Sequence, residues 1–81
     1  MRHESNDYFL IATTIDRVLE DNDLHHSEFA FQLGFSRSYW SQLLNGHRRL
    51  SPRVRRALRG HPILRDVPVE ALWTRHPREA T

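Results

Sequence analysis

"SEFAFQLGFSRSYWSQLLNG", residues 27–46, holds two short apolar patterns with a tight break between them. Phe29, Ala30 and Leu33 fall on one helical face, and Gly34 can end that helix in a left-handed conformation. Ser36 is placed to cap the next helix, which turns Trp40, Leu43 and Leu44 inward and stops at Asn45-Gly46. Ala30 is small where two such helices must cross. Trp40 anchors the second helix, and Leu43 repeats the anchor one turn later. The spacing predicts a helix-turn-helix.

The flanks read as more helices. "YFLIATTIDRVLE" carries Tyr8, Ile11, Ile15, Val18 and Leu19 at spacings of three and four, with Asn6 or Asp7 as cap. "DND" at 21–23 breaks that pattern. In "RLSPRVRRALRG", Ser51 caps, Pro52 takes the first helical position and Gly60 stops the helix. Its apolar side is Leu50, Val54, Ala57 and Leu58. "HPILRDVP" is a connector that packs Ile63 and Leu64. "VEALW" is a short last helix with Val69, Leu72 and Trp73 inward, and "TRHPREAT" is a frayed tail. Phe31 has no inward role in this pattern; a dimer contact and a cover for helix 1 both remain open. There is no strand pattern, repeat or linker. The expected fold is all-α: five helices in a single domain over 1–81, with a core over about 7–74 and a tail over about 75–81.

At 81 residues, one domain near the lower limit for a self-sufficient core is expected, so helix packing or dimerisation would help most. The absence of cysteine excludes disulfides, zinc–thiolate sites and a cysteine nucleophile, and suits a reducing cytosol. "MRHESNDYF" lacks the apolar region of a signal peptide, and no apolar run approaches the ~18 residues of a membrane span. A cytoplasmic, nucleoid-associated location is expected.

The net charge of +2 hides a segregation. Residues 1–28 hold seven acids and two arginines, whereas residues 29–65 hold eight arginines and no acid. Such a window is a candidate polyanion-binding surface; the alternative is an ordinary solvated basic face. Every Lys/Arg position is Arg, the better bidentate partner for phosphate and guanine.

On the third helix, Arg37, Ser38, Ser41, Gln42 and Asn45 span an arc of about 140°, opposite Trp40, Leu43 and Leu44. These side-chain types can read bases. Arg forks onto guanine, Gln pairs with adenine, and Ser is permissive. Arg37 also sits in the first turn, where the helix dipole favours an anion. A phosphate backbone and a guanine edge would supply what the chain lacks there. Tyr39, at the border of the arc, can touch a phosphate or a thymine methyl, or shield the core edge. On the fourth helix, Arg53/Arg56, Arg55/Arg59 and Arg56/Arg59 are like-charge pairs, costing about 1 kcal/mol together with no acid to offset them. Phosphates would reverse that sign. Arginine stems over apolar surface, or pairing with the N-terminal acids, are the alternatives.

Catalytic or metal chemistry is not expected. His3, His25, His26, His47, His61 and His76 are scattered without ligand spacing, and no phosphate loop, serine elbow or carboxylate pair is present. No cofactor is expected, and the chain does not read as an enzyme.

"SEFAFQLGFSRSYWSQLLNGHRRLSP" resembles the phage lambda repressor/Cro-like, or Xre, helix-turn-helix family. The likeness covers roughly residues 8–60. It implies a five-helix DNA-binding domain, usually dimeric, in which helices 2 and 3 form the motif and helix 3 lies in the major groove. It implies base reading at Arg37, Ser38 and Gln42, with Ser41 on the same arc. It implies backbone contacts at Asn45, His47, Arg48 and Arg49, to which Ser36 and Tyr39 are added, and at His26, where the family typically has Gln. The chain departs from the family at His25 (usually Ser or Thr), His26, Trp40 (usually Ile or Val) and the longer "HPIL" connector. The resulting expectation is a sequence-specific regulator of double-stranded DNA, a homodimeric repressor. The alternatives are an antitoxin-like protein-interaction module that covers a toxin or another protein partner and binds DNA only secondarily, and a non-specific architectural DNA binder.

Overall fold

A computed structural model describes residues 7–75. Within them the chain is largely helical: α1 (Ala12–Asp21), α2 (His26–Leu33), α3 (Arg37–Leu44), α4 (Pro52–Gly60), a 3-10 turn (Pro62–Leu64) and α5 (Val69–Leu72). A short antiparallel ribbon joins β1 (Phe9–Leu10) to β2 (Trp73–Thr74), pairing Phe9 with Thr74 and Leu10 with Trp73.

The five helices expected are present; the ribbon adds a strand pair where none was expected and corrects the start of the first helix. Leu10 is fully buried in its strand, and the Ile11 N–H donates to the Leu72 carbonyl at 2.9 Å. Helical bonding therefore begins only at Ala12, with Ile11 as a cap that offers no side-chain bond. Asp7 lies too early to cap it and instead pairs with Arg49 at 2.6 Å; Asn6 lies outside the described residues. Trp73 is buried as expected, but on a strand rather than on the last helix. Arg75 belongs to the folded part rather than to the expected tail, since its Nη2 donates to the Tyr8 hydroxyl at 2.8 Å. The rest of that tail, residues 76–81, lies outside the described residues.

Punctuation elsewhere follows local chemistry. Gly34 adopts φ +84°, a region open to glycine at little cost, and its N–H and that of Phe35 close the end of α2. Ser36 Oγ accepts from the Tyr39 N–H at 3.0 Å, and Ser51 Oγ from the Val54 N–H at 3.2 Å. Gly60 is the last residue of α4 rather than its stop. The helix ends because His61 precedes Pro62, which drives it to extended backbone (φ −79°, ψ 133°).

The core draws on every element: Leu10, Ile15, Leu19, Phe29, Trp40, Leu43, Leu58, Leu64, Leu72 and Trp73 are buried together. Of the residues expected inside, Tyr8, Ile11, Val18, Leu33, Leu44, Ala57, Ile63 and Val69 are only half-buried. Phe31 does not cover α1; it is 82% exposed.

His61 ties the α4 end to α2. Its Nδ1 accepts from the Ile63 N–H at 3.3 Å, its Nε2 lies 2.7 Å from Gln32 Oε1, and its ring sits 4.7 Å from that of Phe29. Burial lowers its pKa below the ordinary 6.5. The neutral ring is thus favoured in the fold, and a protonated Nδ1 could not accept from Ile63. The stability this provides is whole above pH 6.5 and is lost as pH falls through the lowered folded value. Melting temperatures measured across that window should fall less steeply for His61→Asn, which keeps a capping acceptor, than for the parent. Parallel curves would sink the assignment.

Candidate nucleic-acid interface

Three residues, Gly34, Phe35 and Ser36, separate α2 from α3. Phe35 is half-buried, with its ring 5.4 Å from Tyr39 and 6.4 Å from Trp40, so the turn is itself packed. Trp40 and Leu43 hold the inner side of α3 in the core. The opposite side carries Arg37, Ser38, Ser41 and Asn45, all exposed, with Gln42 half-buried beside them. These five therefore stand together on one outward arc, as their spacing predicts.

The arc is partly organised from within. Asn45 Nδ2 donates to Ser41 Oγ at 3.4 Å. Arg48 Nε donates to Gln42 Oε1, and the Arg48 guanidinium lies 5.5 Å from the Tyr39 ring centre. Gln42 is thereby oriented, with its NH2 group and a second carbonyl lone pair still available. Of the roles considered for it, Tyr39 takes that of shielding the core edge, where its ring packs against Phe35, and the Arg48 guanidinium also lies over that ring. The end of α3 is closed by the His47 N–H, which donates to the Gln42 carbonyl at 2.9 Å, with Gly46 at φ +75°.

The arginines divide by environment. Arg48, in the loop, bonds back to Gln42 of α3, Arg49 pairs with Asp7, and Arg55 stacks over the Tyr8 ring at 4.6 Å. Asp7 and Tyr8 come from the segment leading into β1, and the Tyr8 carbonyl also accepts the Leu50 N–H at 2.8 Å. The ribbon thus holds the loop that follows α3. Arg37, by contrast, is exposed and makes no hydrogen bond or ion pair among the described residues. No acid stands in the first turn of α3.

His26 is engaged at both ring nitrogens. The Trp40 indole N–H, which can only donate, meets Nδ1 at 3.0 Å. In the neutral ring the proton therefore sits on Nε2, 2.8 Å from Asp16 Oδ1. One imidazole links α1, α2 and α3. A phosphate contact at His26 would require one of these bonds to be given up. His26 and Trp40, two of the positions noted above as departures from the pattern the sequence resembles, are thus each other's partners. Sequence reading missed this strut, although a buried indole N–H needs an acceptor and a nearby histidine is a natural one.

Among the described residues no group of three His, Cys, Asp or Glu side chains could hold a metal ion, and no helix is long and apolar enough to cross a membrane. No family model, curated protein or solved structure matches the chain.

Proposed function

We propose that this chain is a sequence-specific regulator of double-stranded DNA in which α2 and α3 act as a lambda repressor/Cro-like helix-turn-helix. The observation that carries this reading is the outward arc of α3, where Arg37 meets the positive end of the helix dipole with no acid and no partner among the described residues. A duplex supplies phosphates for that charge and guanine O6 and N7 for the guanidinium fork. Arg37, Ser38, Ser41 and Gln42 read bases. Ser36, Tyr39, Asn45, His47 and Arg48 hold the backbone. Arg49 contributes less, because Asp7 offsets its charge. His26 acts as the strut behind α3.

Repression follows from occlusion of a promoter by a homodimer on half-sites about one helical turn apart. Selection from a random duplex pool tests this directly. A recovered consensus is expected, and Arg37→Ala should lose about 1–3 kcal/mol, mainly at one base position. Equal binding to all duplexes would favour an architectural protein instead.

A second reading has one observation in its favour. Phe31 projects from α2 into solvent, 82% exposed, as an anchor for a protein partner would. An antitoxin-like module with secondary DNA binding predicts a stable protein complex that Phe31→Ser weakens while any DNA binding is left unchanged.

A further inference from the structure

Three arginines of α4 have no role in the interface above. Arg53, Arg56 and Arg59 are exposed, and none makes a hydrogen bond or ion pair among the described residues. They occupy an arc of about 120° directly behind Val54 and Leu58, the buried side of α4. Arg55 lies apart, turned onto the Tyr8 ring. The stripe rises about 9 Å along the helix, a length over which one DNA strand presents two to three phosphates. It starts in the first turn of α4, close in sequence to Arg48. No acid stands in that first turn. Within the isolated fold, the arrangement is only repulsive.

We infer that Arg53, Arg56 and Arg59 form a second phosphate-binding surface, which engages the duplex backbone beyond the site docked on α3. The inference rests on the DNA-binding reading. The stripe contributes charge without base readout, because phosphates carry no sequence information of their own. It lengthens the footprint and makes binding steeply salt-dependent.

The test uses the full chain with the three substitutions R53A, R56A and R59A. Alanine raises helix propensity and removes the like-charge pairs, so the variant keeps its fold. Affinity for the selected duplex and for a mixed-sequence duplex is measured across a salt series. The slope of log affinity against log salt should fall by about 2 to 3, with the preference between the two duplexes unchanged. An unchanged slope with preserved preference overturns the stripe alone. A reduced slope in a chain that shows no preference between duplexes supports the stripe and sinks base reading by α3. A loss of self-association with no change in slope would assign the stripe to an acidic face of a second copy, which overturns the inference. If the parent chain binds neither duplex, both readings fall together.

Discussion

Trp40→Ala is expected to cost about 3–5 kcal/mol, the range for removing a buried large aromatic side chain. A chain of this length has roughly 4–12 kcal/mol of stability in all, so the loss takes a large share of the whole and unfolds the chain outright only at the low end of that range. The size of the effect comes from how much converges on one ring. Trp40 is 2% exposed, meets Phe29 edge-on at 5.4 Å, stacks near Phe35 at 6.4 Å, and donates its indole N–H to His26. Trp40→Phe separates packing from hydrogen bonding. It keeps most of the apolar contact and leaves His26 Nδ1 without its donor, a loss of about 1 kcal/mol. Urea unfolding gives both numbers. An alanine variant within 1 kcal/mol of the parent would show that α3 is not anchored through this ring. For the DNA-binding reading, the phenylalanine variant is the more telling one. It should fold yet bind its duplex less tightly, because α3 then lacks the bond that fixes it against α1 and α2.

The second large effect is expected at Trp73. Its ring is 9% exposed, and its backbone pairs with Leu10 in the ribbon. Trp73→Ala should cost about 3–5 kcal/mol on the same grounds. Its consequence is less local than that of Trp40. Without the ribbon, the segment from Asp7 to Leu10 loses its seat, and with it go the Asp7–Arg49 pair and the Tyr8 carbonyl that accepts from Leu50. Amide exchange at Leu50 is the sensitive probe. In any population that remains folded, this amide should exchange faster than in the parent, while the amides of α2 stay protected. Unaltered protection at Leu50 would mean that the loop after α3 is held by something other than the ribbon.

Much of this architecture is legible in the sequence because it is encoded locally. Ser36 and Ser51 cap the helices they precede, Gly34 supplies the left-handed turn, and the α3 face is readable from a period of 3.6 residues. The ribbon is not legible. Two residues on each side cannot show alternation, and Phe9-Leu10 pairs with a segment at the other end of the described chain. Tyr8 and Ile11 even fit a helical pattern, so the local signal pointed the wrong way until Leu72 and Trp73 took up the backbone groups. The candidate site divides in the same manner. The outward arc follows from helical spacing alone. What Arg48, Arg49 and His26 touch does not, because Gln42 is brought to Arg48 by the turn that closes α3, and Asp7 and Asp16 reach their partners by packing between elements.

The ribbon also fixes the order in which the chain can assemble. Tyr8 and Arg75 meet across a separation of 67 positions, so their contact closes nearly the whole chain into one loop. The α2–turn–α3 unit needs only neighbours and can form early, whereas a closure of this length comes after the helices have collapsed. Residues of the ribbon therefore belong to the late side of the folding barrier. Substitutions there act as a faster exit from the native state, with the rate of refolding left almost unchanged. The two sides of the ribbon work as a latch: they set how long the helices stay assembled, not how quickly they find each other.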